Sequence, residues 1–238
     1  MEVGASGPGG PDGYDSVDVH RRDTESERTD YWKFLFNGKV VGGTRVFMVS
    51  KEHGYIYGVF VDSDFHGRGI GTETFRLIES NYPEVKKWTL DTPVWNVRTK
   101  GFYEKIGFKQ EGILRWALEF DLRYYVKTID ESYETSYVSI SDLQDGMKGF
   151  VVKGRIEEKS ERRNVTSQDG KPLEVANAIL ADETGSISLV LWNDTIRQIN
   201  EGEEIIIENA YVSSYAGKLQ LGVSRQGLII IRKSGDFL

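Results

Sequence analysis

An apolar run, Gly54-Tyr-Ile-Tyr-Gly-Val-Phe-Val61, leads through His66-Gly67-Arg68-Gly69-Ile70-Gly71-Thr72 into Glu73-Thr-Phe-Arg-Leu-Ile-Glu79. Its order is strand, glycine turn, helix, and no other stretch limits the fold as much. Glycines let successive backbone N–H groups point into one concavity, and a helix N-terminus beside them adds partial positive charge. The arrangement therefore suits a phosphate. A second block, Asn96-Val-Arg-Thr-Lys-Gly-Phe-Tyr-Glu-Lys-Ile-Gly-Phe108, follows at the distance that one further strand and helix require.

Around these blocks the pattern is mixed α and β. Residues 31–36 and 40–49 flank Asn37-Gly38, which supplies the positive φ values of a tight hairpin. Residues 54–61 form the next strand and residues 73–80 a helix, which Pro83 prevents from continuing. Residues 87–91 are a strand, residues 96–106 a helix closed by Gly107, and residues 112–125 a last strand. Beyond a polar connection at 128–137 the pattern turns all-β. Strands are expected at 149–156, 173–180, 186–192, 204–211 and 218–223, with a polar loop over 159–170 and a short helical piece at 195–199. Five strands are what an OB barrel requires.

Composition removes several chemistries. With no cysteine there is no disulfide, thiolate metal site or cysteine nucleophile. The three histidines, His20, His53 and His66, are scattered, so a histidine metal site or a Ser-His-Asp relay is not expected. Net charge is −7, divided as −5 over residues 1–30, +1 over 31–137 and −3 over 138–238. Any nucleic-acid surface must therefore be local. Residues 1–30 are acidic, glycine-rich and without apolar periodicity, and read as a disordered tail. There is no secretory pattern and no membrane-length apolar run, so a cytoplasmic or nucleoid-associated protein with no membrane partner is expected.

The two blocks together resemble the GNAT superfamily of N-acetyltransferases over roughly residues 31–127. Its pyrophosphate turn reads Gln/Arg-x-x-Gly-x-Gly/Ala, matched by His66, Gly69 and Gly71, with His66 a departure. Its later helix reads Asn-x-x-Ala-x-x-Leu/Phe-Tyr-x-Lys-x-Gly-Phe, matched by Asn96, Phe102, Tyr103, Lys105, Gly107 and Phe108, with Thr99 in place of Ala. The resemblance implies acetyl-CoA as cosubstrate and no metal. Pantetheine would pair near Phe60 and Val61, where two parallel strands splay. Pyrophosphate would lie on the amides of Gly67, Arg68, Gly69, Ile70, Gly71 and Thr72, with the Arg68 side chain either adding charge or simply solvated. Tyr103 would be the general acid toward the leaving thiolate, or would pack. Asn96 would orient the cosubstrate or cap its helix. Asp91 and Glu104 are candidate bases by location alone. GNAT domains usually open with a strand and two helices that wall the amine site, and here only residues 1–30 precede residue 31.

Residues 138–232 resemble the single-OB single-stranded DNA-binding proteins of archaea and animals. The stretches that carry this are Ala181-Asp-Glu-Thr-Gly-Ser-Ile-Ser-Leu-Val-Leu-Trp192 and Glu208-Asn-Ala-Tyr-Val-Ser-Ser-Tyr-Ala-Gly-Lys-Leu-Gln-Leu221. The resemblance implies that Trp192, Tyr211 and Tyr215 stack on bases, and that Arg155, Arg162, Arg163, Lys171 and Lys218 follow the phosphate backbone. Two tyrosines stand where Trp and Phe are common. The expected organisation is a tail at 1–30, an α+β GNAT-like domain at 31–127, a linker at 128–137 and a five-stranded OB barrel at 138–238. The implied function is an N-acetyltransferase held on single-stranded DNA, acting on an amine of a DNA-bound protein. The competing reading is a single-stranded DNA-binding protein whose GNAT-like domain is a silent scaffold or acetyl-CoA sensor.

Overall fold

The computed structural model describes residues 29–116, 120–167 and 169–232. The expected tail lies outside them, apart from Thr29 and Asp30. The chain divides inside a strand into two compact units, Met1–Trp88 and Thr89–Leu238.

The first unit is an antiparallel meander of β1 (Thr29–Phe36), β2 (Lys39–Met48) and β3 (His53–Val61), followed by α1 (Ile70–Asn81). The first turn is the expected one, with Asn37 at φ 48 and Gly38 at φ 78. Phe34, Val46, Ile56, Phe75 and Ile78 are buried. Between β2 and β3 the register slips: Gly43 faces Phe60 and Arg45 faces Tyr57, so Gly58 and Val59 together oppose Thr44. With Gly58 at φ 67, this is a glycine β-bulge. The expected helix begins three residues earlier than its apolar pattern implied, because left-handed Gly69 delivers the chain straight into the first turn.

The second unit carries β4 (Lys87–Pro93, entered from the first unit), α2 (Val97–Lys105), β5 (Lys109–Trp116) and β6 (Phe120–Thr128). The expected single strand at 112–125 is thus a hairpin. Its connection at 117–119 has none of the Gly, Pro or Asn that marks a turn, which hid the reversal.

The barrel strands are β7 (Lys148–Lys159), β9 (Pro172–Asp182), β10 (Gly185–Trp192), β11 (Glu204–Tyr215) and β12 (Lys218–Arg232). They pair in a closed ring, β7–β9–β10–β12–β11–β7, parallel only between β10 and β12. The expected polar loop contains a short strand, β8 (Arg163–Thr166), paired to β9. A helical turn, α3 (Thr195–Gln198), follows β10. Apolar alternation puts Ile156, Leu180, Leu189, Leu191, Ile207 and Leu221 inside. Past its pairing with β10, β12 also pairs with β5, Ile231 opposite Ile113, while staying paired with β11 to Arg232. Gly112 permits that approach, since a Cβ there would lie 2.5 Å from the Ile230 side chain and 2.9 Å from the Ile231 carbonyl.

Candidate functional site

In the first unit, β3 ends at Val61 and a single 3-10 turn, Ser63–Phe65, precedes the glycines. Gly67 and Gly69 both lie in the left-handed region, at φ 75 and φ 76. Gly69 is the N-cap of α1 and contributes no side-chain cap; the first helical bond is from Glu73 N–H to Gly69 O at 3.0 Å. The amides of residues 67–72 consequently have no backbone acceptor among the described residues. A row of uncapped N–H groups at a helix N-terminus is an anion cradle. Nothing lies within 4 Å of where a Cβ would project at Gly67 or Gly69, so the cradle is open.

Two side chains of the turn face elsewhere. His66 Nε2 is 2.8 Å from Val61 O, tying the turn back to the strand end. Arg68 donates to Asp64 O at 3.3 Å and lies 5.1 Å from the Phe65 ring centroid, which leaves the backbone amides as the donors facing the open side of the turn. Phe60 is exposed at 64 %, on the edge expected to receive pantetheine.

In the second unit, Asn96 caps α2, its side chain accepting from Thr99 N–H at 3.3 Å. Thr99, in place of the usual small apolar residue, bonds its hydroxyl to Asn96 O at 2.9 Å and meets Thr92 Oγ1 at 3.0 Å, locking the first turn of α2 against β4. Tyr103 is the buried residue of that helix. Its ring lies 5.4, 6.1 and 5.7 Å from Phe102, Phe108 and Tyr125. Burial, then the charge of Asp91, pushes its phenol well above the ordinary range, so it remains protonated at neutral pH. Of the two candidate bases, Asp91 is half-buried and Glu104 is exposed, 4.0 Å from Lys100.

On the barrel, Leu191 and Leu221 face the core, so Trp192 and Gly222 face outward. Tyr211 pairs with Gly222 and Tyr215 with Lys218 on β12. The Tyr211 ring fills the space above Gly222, where a Cβ would come within 2.3 Å of it. Register from Ser188–Gln220 and Ser213–Gln220 sets Trp192, Tyr211 and Tyr215 in that order on one outer face. They are stepped by about 7 and 13 Å along the strands at ~3.3 Å per residue. Trp192 and Tyr215 are 42 % and 72 % exposed.

The basic residues divide. Arg163 pairs with Val175, which pairs with Trp192, forming one row across three strands. Lys218 stands opposite Tyr215, and Lys171 is at the tip of the β8–β9 hairpin. Arg162 is held by Glu174 at 3.0 Å. Arg155 sits opposite Ala181, six residues and about 20 Å along β9 from the level of Trp192, so it does not join the aromatic face. Lys148 does join it: exposed and paired with Tyr211 across β7–β11, it was missed because sequence spacing does not reveal cross-strand neighbours.

Among the described residues no helix is long and apolar enough to cross a membrane. Residues 7–108 match the family model described as Acetyltransferase (GNAT) family, and residues 148–231 match that described as Single-stranded DNA binding protein Ssb-like, OB fold. The chain is similar to the single-stranded DNA binding protein Ssb of Saccharolobus solfataricus, 34 % identical over 34 % of this chain and 55 % of the relative. It thus spans about half the length of that curated relative. A solved replication factor A related protein from Methanobacterium thermoautotrophicum is 26 % identical, covering 42 % of this chain and 94 % of that one, at TM-score 0.36. The ribosomal-protein-S18-alanine N-acetyltransferase of Escherichia coli is 18 % identical, covering 56 % and 86 %, at TM-score 0.44.

Proposed function

We propose that this chain, a GNAT-family segment running into an Ssb-like OB fold, is an acetyl-CoA-dependent N-acetyltransferase held on single-stranded DNA by its barrel. The observation that carries the acetyl-CoA half is the row of amides at residues 67–72, built at an open helix N-terminus and without a backbone acceptor among the described residues. A diphosphate fits such a cradle, since it brings the negative charge and acceptor oxygens that the row lacks.

Acetyl-CoA supplies an activated thioester, and the chain's residues bind and move protons. Residues 67–72 hold the diphosphate. The bulge at Gly58–Val59 takes backbone out of ladder register beside Phe60, the edge assigned to pantetheine. Tyr103, neutral and buried, gives its proton to the departing thiolate. The acceptor is an amine on a protein bound to the same DNA, brought near by tethering rather than by tight recognition. Bases stack on Trp192, Tyr211 and Tyr215, while Arg163, Lys148, Lys171 and Lys218 meet phosphates.

A second reading keeps the DNA site and makes the GNAT segment a silent scaffold or acetyl-CoA sensor. The tight packing of Tyr103, 6 % exposed among three rings, favours it. Calorimetric titration with acetyl-CoA, then a survey of single-stranded-DNA-bound proteins for amine acetylation, separates the two. Binding with turnover supports the enzyme, binding without turnover the sensor, and no binding removes the cradle assignment.

A further inference from the structure

The β5–β6 hairpin lies outside the segment that matches the OB family, yet it is built into the barrel. Leu114, Leu122, Tyr124 and Val126 from the hairpin and Ile206 and Ile230 from the barrel form one buried cluster. Two polar side chains of the hairpin reach the barrel, Tyr124 from within this cluster and Arg115 from the opposite face of β5, and each bonds to a segment that adjoins a residue of the aromatic face in the chain.

The first is Arg115. Its guanidinium makes a bidentate pair with Glu203, at 2.8 and 2.5 Å, and also donates to Gln198 O at 3.1 Å. Burial alone would raise the Glu203 carboxyl, but Arg115 and Asn200 hold it below the usual range. Gln198 is the last residue of α3, and Thr195 the first. Thr195 Oγ1 accepts from Trp192 N–H at 2.8 Å and donates to Trp192 O at 2.7 Å. Arg115 therefore fixes the far end of the single helical turn whose near end holds the Trp192 backbone. Lys159 reinforces that end, donating to Ile199 O at 2.8 Å and also to Ile196 O.

The second is Tyr124. Its buried hydroxyl donates to Glu208 Oε1 at 3.1 Å, and Glu208 is 3 % exposed. Between Glu208 and Ala210 the register of β11 against β12 shifts, with Asn209 at φ 56. Tyr211 comes next along that strand. A carboxylate held inward on one side of an irregularity sets how the following residues leave it.

We propose that Arg115 and Tyr124 are positioning residues for single-strand binding, acting through Trp192 and Tyr211, so that the DNA face is completed by the hairpin outside the OB segment. This rests on the DNA-binding reading of the barrel. Neither side chain touches DNA; each narrows the orientations of a ring of the face, exposed Trp192 or half-buried Tyr211, before a base arrives, which reduces what binding must order.

The test is fluorescence anisotropy of a fluorescein-labelled oligothymidine with the full chain, alongside thermal melts. Arg115→Met and Tyr124→Phe should each weaken binding roughly threefold to tenfold, the range for residues coupled through a contact. Arg115→Lys, which keeps the charge but not the fork, should fall between. The deciding readout is a pair of double-mutant cycles. In a Trp192→Ala background Arg115→Met should cost less than about twofold more, and Tyr124→Phe likewise in a Tyr211→Ala background, because the effect has lost its route. Losses that multiply in both cycles, or an undiminished affinity in Arg115→Met and Tyr124→Phe, overturn the proposal while leaving DNA binding intact. Should Arg115→Met fail to fold, Arg115→Lys and Tyr124→Phe decide it in its place. If the unsubstituted chain binds no oligothymidine, the DNA reading falls and this inference with it.

Discussion

The glycine turn of the first unit and the aromatic face of the barrel are opposite ways of making a binding surface. At residues 67–72 the backbone itself is the surface offered to a ligand, and the side chains that accompany it, His66 and Arg68, are turned to strand and ring. On the barrel the backbone is spent on ladders, and the surface is made of rings and cations that register brings side by side. A backbone site tolerates most side chains that keep its φ values and bring neither bulk nor negative charge into it. A side-chain site tolerates almost any backbone change that keeps its register.

The largest expected effect tests whether the first surface serves chemistry at all. Tyr103→Phe should lower turnover ~10²–10⁴-fold while acetyl-CoA affinity, measured by calorimetry, stays nearly unchanged. Full turnover in this variant returns Tyr103 to packing.

Next comes the cradle. Gly69→Glu or Gly71→Glu should lower acetyl-CoA affinity by at least about 100-fold, since a carboxylate then competes with the diphosphate. Gly69→Ala should destabilise the fold by roughly 1–2 kcal/mol through its left-handed φ, while His66→Ala leaves affinity largely intact. Unaltered affinity in both Glu variants would mean that the amides hold something else.

The aromatic face should respond in smaller, distributed steps. Alanine at Trp192, Tyr211 or Tyr215 should each cost roughly 1–3 kcal/mol of oligothymidine binding. Arg163→Ala should weaken binding, whereas Arg155→Ala, displaced along the sheet, should not change it beyond about twofold. With so few cations on the face, the salt slope should be about −2 to −3 at ~0.7 per phosphate, and duplex should bind far more weakly.

The smallest effect is on pH dependence. Tyr82 is raised to about 12 by burial and by its bond to Asp30, and Tyr103 is raised by burial. For a group whose folded pKa is raised, the stabilisation is whole below the unfolded value and is lost as pH rises past it. Stability should therefore be insensitive to these phenols below pH 10 and decline from there toward pH 12, more shallowly in Tyr82→Phe. Turnover should show no alkaline limb from Tyr103 below pH 10.

The cradle was readable from the chain because glycines, helix start and strand end are adjacent in sequence, and local geometry alone makes the site. Asn96 was readable as a cap for the same reason. The barrel strands were readable from apolar alternation, because the residues that alternate are neighbours in sequence. That Arg155 lies far along the sheet from Trp192 and Lys148 beside Tyr211 was not readable, because alternation gives a residue's face, not its level along the sheet. Level depends on pairing partners far away in sequence.

By itself, then, the sequence determined an α+β pattern with a glycine turn at a helix start, followed by a five-stranded barrel. Those features arise from residues within a few positions of one another, where φ preferences and period decide. Tertiary structure alone decided that β12 pairs with β5 past its contact with β10, that Gly112 opens the way for it, and that Arg115 and Tyr124 reach Glu203 and Glu208. Contacts spanning 84 and 88 residues carry no local signal, because what selects them is the burial of apolar area and the pairing of the charges it encloses.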